Sequence, residues 1–171
     1  MNRFNRDALL AILLILVVVG FRFLPHPANF SPTLALLIYV GFVGRSSRAL
    51  WLIGPALILV SDLLIGTYDG ISMVYLSYAI CLAVGAIISR ARVAPLFLAG
   101  LSGSVLFFAL SNFGVWQFTN LYPHDQLGLV QCYVMALPFF HYTVFSTVGG
   151  LAAMFAARTA VNIVVSKIAV E

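Results

Sequence analysis

The stretch Ile71–Ser89, ISMVYLSYAICLAVGAIIS, decides how the rest of the chain is interpreted. It contains no charged residue, and its length is close to the roughly 20 residues that a helix needs to cross a bilayer. At about 3.6 residues per turn, one helical face carries Val74, Tyr78, Cys81 and Gly85. A phenol, a thiol and a gap on one face either pack against neighbouring helices or line a ligand cavity, and the stretch alone leaves both alternatives open.

The composition of the whole chain is that of an integral membrane protein. Its 171 residues are 63% hydrophobic and 8% charged, whereas a soluble domain has about 25% charged residues. The few charges mostly lie between long apolar runs, so the net charge of +4 is explained by membrane topology. The sequence has no basic cluster with interleaved aromatic residues, and we therefore expect no nucleic-acid partner.

Six apolar segments predict an all-α membrane protein with six transmembrane helices in a single domain, residues 1–171. The first segment lacks a small-x-small cleavage site and is interpreted as an uncleaved helix. The second is anomalous, because its 11 residues span only about half of a ~30 Å hydrocarbon core. Either other helices enclose it, or the proline-rich loop before it dips into the membrane. The predicted helices cover residues 8–24, 33–43, 49–65, 71–89, 93–113 and 139–157, with a short broken segment at 127–137 that Pro138 interrupts.

Basic residues set the expected orientation. With both termini on one side, that side receives all the lysines and arginines except Arg22, and the positive-inside rule makes it cytoplasmic. The N- and C-termini are therefore predicted to be cytoplasmic, and the outer half holds much of the remaining polarity. The basic residues on the cytoplasmic side are Arg3, Arg6, Arg45, Arg48, Arg90, Arg92, Arg158 and Lys167. The outer polar residues include Asp62, Asp69, Asp125, His26 and His124.

Each candidate site residue also has a simpler structural explanation. Cys81 is either a small apolar core residue or a thiolate ligand for a soft or borderline transition metal. Met73 and Tyr78 either pack in the core or contact a ligand. Arg22 and Asp62 are costly in apolar surroundings, so either each reaches the interface separately or they form an ion pair that fixes helix one to helix three beside a cavity.

The histidines and the remaining motifs add little chemistry. His26 and His124 are predicted in outer loops, where a solvated or capping role competes with contact to a ligand or a metal. His141 is expected to be a hydrogen-bonded core residue. The two cysteines have neither the spacing nor the setting of a disulfide or zinc site. The sequence has no phosphate loop, nucleophile elbow or HExxH motif, so we do not expect the chain itself to hydrolyse a nucleotide.

Four segments, taken in order, give the chain a family resemblance. They are RFLPHPANFSP from Arg22, SDLLIGTYDG from Ser61, SNFGVWQFTNLYP from Ser111 and YVMALPFFHYTVFS from Tyr133. Together they resemble the substrate-binding S-components of energy-coupling-factor (ECF) vitamin transporters. The cysteine in the fourth apolar block is similar to that of the solitary proteobacterial cobalamin transporters of the BtuM type.

The resemblance implies a six-helix S-component fold in the bacterial cytoplasmic membrane that takes up vitamin B12 or a related corrinoid from the periplasm. It implies that a cysteine thiolate, here Cys81, ligates the cobalt of cobalamin and assists removal of the cyanide ligand. No cofactor beyond the transported cobalamin is implied. The expected partners are the solute, the lipid bilayer and either an ECF energising module or none, because helix one lacks the alanine-xxx-alanine pattern of module-dependent S-components.

Three alternatives to cobalamin uptake stay open. The first is an S-component-like transporter of another small vitamin or precursor, the second a membrane enzyme for thiol-assisted decyanation, and the third a structural subunit without ligand. Helical geometry places Tyr78 and Ser77 about one turn outward of Cys81 and Met73 about two turns outward. The loops supply candidate lid residues. The full set of candidate solute contacts is Cys81, Tyr78, Ser77, Met73, His26, Asn29, Arg22, Asp62, Tyr122 and His124.

Overall fold

The computed structural model describes residues 3–44, 48–88 and 94–168, and within them six helices and no strand are found. The predicted all-α fold class is therefore confirmed. Some residues of the predicted helix ends and topology lie outside the described ranges, namely Arg45, Ser89, Arg90, Arg92 and Val93. The helices are α1 (Arg3–Phe21), α2 (Thr33–Gly44), α3 (Arg48–Ile65), α4 (Ile71–Ile87), α5 (Ala94–Phe118) and α6 (Gln126–Ile168).

The short helix α2 lies at the centre of the bundle. All of its residues are buried, and it packs against each of the other five helices. A helix that is apolar on every side is expected in such a buried position. Of the two explanations for the short second segment, the structure therefore favours the first, in which other helices enclose α2.

Two glycines bring α2 and α4 into backbone contact. A Cβ atom added at Gly41 would overlap the carbonyl oxygen of Leu82, and one added at Gly85 would overlap the carbonyl oxygen of Ile38. Small residues at such a crossing let two helix axes approach closely. The gap predicted at Gly85 is therefore filled by the backbone of α2. At Gly85, the α4 face that carries Val74, Tyr78 and Cys81 packs against a neighbouring helix.

Helix α6 corrects the predicted break near Pro138. The segment predicted as broken, 127–137, and the separate helix predicted at 139–157 are parts of one 43-residue helix. Its start is capped by Asp125, whose Oδ1 accepts a hydrogen bond of 2.7 Å from the backbone N–H of Gly128. At 1.5 Å per residue the helix is about 64 Å long, which is roughly twice the hydrocarbon thickness of a bilayer.

Length and surface composition indicate a membrane location. Helices α5 and α6 are long and apolar enough to cross a bilayer, while α2, α3 and α4 are shorter apolar helices. The outward faces carry many exposed large apolar side chains, such as Leu52 at 75% and Ile87 at 77% exposure. Soluble monomers rarely expose contiguous apolar surface of this kind.

Candidate functional site

A cavity of about 260 Å³ lies at the end of the bundle where α1 and α3 end and α2 and α4 begin. Its wall combines the loops after α1 and α3 and the last residue of α3 with the first turn of α2 and the first two turns of α4, and α5 and α6 contribute one residue each. Four of the ten predicted contact residues line it: Arg22, His26, Asn29 and Tyr78. The structure thus brings together residues that are 56 positions apart in the sequence, from Arg22 to Tyr78.

An ion pair between Arg22 and Asp62 supports this cavity. Nη2 of Arg22 donates a hydrogen bond to Oδ1 of Asp62, and the hydroxyl of Tyr75 donates to Oδ2 of Asp62 at 2.6 Å. The two charged side chains are 13% and 11% exposed. The alternative in which the pair fixes the end of α1 to α3 beside a cavity is therefore confirmed, and Tyr75 adds α4 to the same junction.

The remaining donors of Arg22 are less engaged. Nη1 lies 3.5 Å from Oγ1 of Thr33, which is at the long limit for a hydrogen bond. Nε is buried and has no hydrogen-bond partner in the described part of the chain. Arg22 lines the cavity and Asp62 does not, so the guanidinium is the member of the ion pair that faces the cavity.

The loop after α1 forms the rim of the cavity. His26 stacks on Phe21 with ring centroids 5.3 Å apart, and its Nδ1 lies 3.0 Å from the carbonyl oxygen of Pro27. The backbone N–H of Phe30 donates to the same oxygen. Asn29 has φ +62°, a left-handed conformation that asparagine tolerates better than most residues. These contacts give the predicted lid loop a defined shape above the cavity.

Tyr68, on the loop between α3 and α4, closes another part of the rim. Its burial and the nearby Asp62 carboxylate raise the pKa of the phenol above its ordinary value, against the opposing effect of Arg22. The hydroxyl therefore stays protonated at physiological pH and can donate a hydrogen bond. The side chain is 56% exposed, so it contacts both the cavity and the surroundings.

Two stacked rings form the inner boundary of the cavity. Tyr78 of α4 and Phe107 of α5 both line it, and their rings are nearly parallel with centroids 6.2 Å apart. The ring of Tyr75 meets Tyr78 edge to face at 5.6 Å. The α4 face that the sequence singled out therefore lines a cavity at Tyr78 and packs at Gly85.

Cys81 lies one helical turn inward of Tyr78 and does not line this cavity. It is 1% exposed, and its Sγ would lie 3.1 Å from a Cβ atom added at Gly103 of α5. Instead it borders an apolar cavity of about 180 Å³ between α4 and α5. The structure thus places the sulfur at a different cavity from the one that Tyr78 and Phe107 line, and the cobalt-ligand role stays a prediction.

The remaining candidates on α4 make structural contacts, Ser77 within its own helix and Met73 with α5. Ser77 is fully buried, and its hydroxyl donates to the carbonyl oxygen of Val74 at 2.6 Å. Met73 packs against Gly114 of α5, where a Cβ atom would approach its side chain to 3.0 Å. Neither residue lines the cavity beside Arg22.

Tyr122 and His124 lie in the loop between α5 and α6 and border a separate, open depression. Nε2 of His124 lies 3.0 Å from the carbonyl oxygen of Thr119, and Nε1 of Trp116 donates to the carbonyl oxygen of Pro123 at 2.9 Å. These bonds hold the loop on itself. The expectation of a core position for His141 is wrong, because that side chain is exposed and its ring lies 4.0 Å from the ring of Tyr142.

Several cavity residues were not predicted. Ser31, Thr33 and Tyr68 line the cavity, and Tyr75 bonds the buried carboxylate from α4. A signal for Tyr75 exists in principle, since a buried Asp62 needs donors for both oxygens. The sequence offers several hydroxyl groups that could reach Asp62. Which of them donates to the carboxylate depends on how α3 and α4 pack.

Comparison with known proteins gives a family without an assigned activity. No curated protein and no solved structure matches the chain. Within the ranges described, no three His, Cys, Asp or Glu side chains lie together as a metal site would require. The model of a family of unknown function, DUF6580, matches residues 2–168, and the protein therefore belongs to the DUF6580 family.

Proposed function

We propose that this protein binds a small, vitamin-sized organic solute at the outer side of the bacterial cytoplasmic membrane and moves it inward, as a six-helix S-component-like uptake protein. The observation that carries the proposal is the cavity of about 260 Å³. It lies in an apolar helical bundle, yet it gathers an arginine, a histidine, an asparagine and two tyrosines. Ionisable residues inside a membrane-embedded bundle mark solute pathways by default, and the side chains of Arg22 and Asp62 are only 13% and 11% exposed.

A second ion pair, at the other end of the bundle, supports the direction of transport. Nε and Nη2 of Arg158 donate to the two carboxylate oxygens of Asp7 at 3.0 and 2.8 Å. Asp7 precedes Arg22 by about 15 residues, or roughly 22 Å along a helix. The positive-inside rule makes the Asp7–Arg158 end cytoplasmic, so in the proposed topology the cavity opens outward.

The dimensions of the cavity favour a small ring-shaped solute. Pockets for drug-sized ligands measure about 300–1,000 Å³, and a volume of about 260 Å³ fits a ligand below that range. The stacked Tyr78 and Phe107 offer an aromatic floor, and the hydroxyl and amide groups of the rim offer hydrogen bonds. A small vitamin or vitamin precursor therefore suits the cavity better than a corrinoid does.

A corrinoid is the second candidate, favoured by the position of Cys81 one turn inward of the cavity floor. The macrocycle is larger than the cavity, so this candidate requires α4 and α5 to separate at the Tyr78–Phe107 pair. Thiolate ligation of cobalt agrees with the ligand preferences of that metal and releases the thiol proton. Cyanocobalamin would then show a shifted absorption spectrum with the wild-type protein and an unshifted one with Cys81→Ala.

The test of the main proposal is a binding screen on the detergent-purified protein. Thermal unfolding is followed with a panel of small vitamins, their precursors and cyanocobalamin, because a ligand of the folded state raises the melting temperature. A labelled form of each hit is then tested for uptake into proteoliposomes. We expect at least one hit that is both bound and transported.

Two matched tyrosine variants locate the site of any hit. Tyr68→Ala removes part of the cavity wall at a half-exposed position and is expected to weaken binding at least tenfold. Tyr122→Ala removes a tyrosine from the loop between α5 and α6, away from the cavity, and is expected to leave binding unchanged. Absence of any hit, or hits that tolerate Tyr68→Ala as well as Tyr122→Ala, would contradict the proposal.

A further inference from the structure

We infer that the solute carries a carboxylate, or a similar small anionic group, and that Arg22 and the first turn of α2 bind this group inside the cavity. The inference rests on the proposed function, because it names the chemical class of the solute for the same cavity. Four features carry it: the Nη1 group of Arg22, the orientation of α2, the hydroxyls beside its start and the lack of a facing carboxylate.

Arg22 keeps one weakly bonded donor group beside the cavity. Asp62 engages Nη2, the guanidinium lies within hydrogen-bonding reach of the Tyr78 hydroxyl, and Nη1 makes one long contact with Thr33. Hydrogen bonds from a guanidinium to a carboxylate are stronger than neutral hydrogen bonds. Asp62 therefore fixes the position of the guanidinium and leaves Nη1 for a second anion.

The start of α2 adds positive potential at the same place. Ser31, Thr33 and Leu34 line the cavity, and the backbone N–H of Leu36 makes an early helical bond, to the carbonyl oxygen of Pro32 at 2.9 Å. The N–H groups of a first turn have no acceptor within their own helix, and the helix dipole places partial positive charge there. Because α2 is buried along its whole length, little water screens this charge.

The hydroxyls beside the start of α2 leave one donor for a ligand. The oxygens of Ser31 and Thr33 lie 2.7 Å apart, so one hydroxyl donates to the other and a second hydroxyl proton is left. A carboxylate seated between Arg22 and α2 can accept that proton together with the guanidinium N–H groups. Such an anion would thus meet donors from the loop after α1 and from α2.

The lining also disfavours a cationic solute. Arg22 is the charged group of the cavity wall, and within the described ranges no aspartate or glutamate lines it. The nearest carboxylate, Asp62, already uses Oδ1 for Arg22 and Oδ2 for Tyr75. A cation would therefore face a guanidinium at short range, without a carboxylate in the described lining to balance the two positive charges.

The test uses a pair of probes that differ in charge and share one shape, nicotinate and nicotinamide, titrated calorimetrically into the detergent-purified protein. We expect nicotinate to bind at least tenfold more tightly than nicotinamide. In Asp62→Asn the guanidinium loses its internal counter-charge, and the preference for the acid is expected to increase severalfold. In the double variant Arg22→Gln/Asp62→Asn, which removes both charges and keeps polar side chains, the preference is expected to disappear.

The variants also separate binding from folding. Asp62→Asn leaves an unpaired arginine and can unfold the protein, whereas the double variant leaves no unpaired charge, so the preference is measured in whichever variants keep the wild-type elution profile. Equal binding of acid and amide by the wild type, or an unchanged preference in the double variant, overturns the inference. If neither probe binds but neutral or cationic panel members bind in a Tyr68-dependent way, the inference fails while the proposed function stands. If no panel member binds, the proposed function itself fails.

Discussion

Asp62 organises the cavity end of the bundle through its two carboxylate oxygens. Oδ1 accepts from Arg22 in the loop after α1 and Oδ2 from Tyr75 of α4, so one side chain of α3 connects three parts of the chain. A nearly buried carboxylate is tolerated when partners satisfy both of its oxygens. The position of Arg22 at the cavity wall therefore depends on Tyr75, which does not itself line the cavity.

The first residue-scale prediction concerns the hydroxyl of Tyr75. Tyr75→Phe removes a hydrogen bond to a charged acceptor and is expected to lower the free energy of unfolding by about 1.5–3 kcal/mol. Tyr133→Phe is the matched control, because that hydroxyl donates at the same distance of 2.6 Å to a neutral backbone carbonyl, that of Ala109. Its expected cost is about 0.5–1.5 kcal/mol.

The unfolding free energies of both variants are measured with a denaturant in the same detergent. The two losses can then be compared directly, because both are taken relative to the same wild-type protein. An equal loss in the two proteins would mean that the Asp62 carboxylate does not depend on Tyr75. A loss confined to Tyr133→Phe would mean the same.

Residue type and helical period predicted part of the cavity lining, but they did not predict how far the cavity extends along α4. Arg22, His26 and Asn29 were predictable because they are polar residues at the outer end of an apolar segment, and Tyr78 because it lies on the buried face of α4. Cys81 shares that face, but helical periodicity gives the angle of a side chain around its axis and says nothing of what covers it. In the structure Cys81 borders the apolar cavity between α4 and α5, and Phe107 of α5 lines the larger cavity.

At the scale of elements, the crossing of α2 and α4 sets how the bundle packs. Gly41 and Gly85 face the backbone of the opposing helix, so the two axes approach as closely as main chains allow. The α4 stripe predicted such a gap at Gly85 without naming the helix that fills it. Because α2 is enclosed on all sides, its displacement would disturb each neighbour, including the cavity at its first turn.

Gly85→Ala tests this crossing. The added methyl group meets the carbonyl of Ile38, a backbone atom that cannot rotate away, so we expect a loss of about 1–3 kcal/mol or more in unfolding free energy. Gly149→Ala on α6 is the matched control, because nothing lies within 4 Å of its added Cβ. Replacing a helical glycine there is expected to be neutral or to stabilise by up to about 1 kcal/mol.

The readout is the unfolding midpoint of each variant in the same detergent. If Gly85→Ala proves as harmless as Gly149→Ala, the two helices are not held at backbone contact, and the position assigned to α2 is wrong. If Gly149→Ala is less stable than Gly85→Ala, the close contact between α2 and α4 is contradicted more strongly.

Helix α6 shows where local signals misled the prediction. A polar loop followed by Pro138 resembles a helix break, since proline removes a backbone donor and clashes with the preceding turn. Asp125 instead caps a helix that begins at once, and in a membrane protein neighbouring helices and local adjustments compensate for an internal proline. Tyr133 and Cys132, which bond carbonyl oxygens of α5, hold the segment before Pro138 in place, and these contacts are invisible to a local pattern.

On the scale of the whole molecule, two ion pairs mark opposite ends and α1 takes part in both. The end of α1 is joined to α3 through Arg22 and Asp62, and its start is joined to α6 through Asp7 and Arg158. The cavity lies at one end of the bundle and a closed charge pair at the other. Under the proposed function this corresponds to an outward-facing state, and inward release would require the Asp7–Arg158 end to open.

Orientation in the membrane is therefore the prediction on which the direction of uptake depends. Cysteines are introduced one at a time at Thr67 beside the cavity, at Asn120 in the loop between α5 and α6, and at Lys167 near the end of α6. The two native cysteines are 1% and 2% exposed, so the unmodified protein is expected to give no background label. In intact cells with a permeabilised outer membrane, a membrane-impermeant maleimide should label Thr67→Cys and Asn120→Cys.

Lys167→Cys should react only after the inner membrane is broken, because a six-span chain with both ends inside places that residue in the cytoplasm. If Lys167→Cys reacts in intact cells while the two loop positions do not, the orientation is reversed, the cavity opens to the cytoplasm and uptake in the proposed direction fails. If Thr67→Cys and Asn120→Cys differ from each other, the cavity loop and the α5–α6 loop lie on opposite sides. In that case the bundle does not cross the membrane six times, and the solute would have to reach Arg22 by a route other than the open end of the bundle.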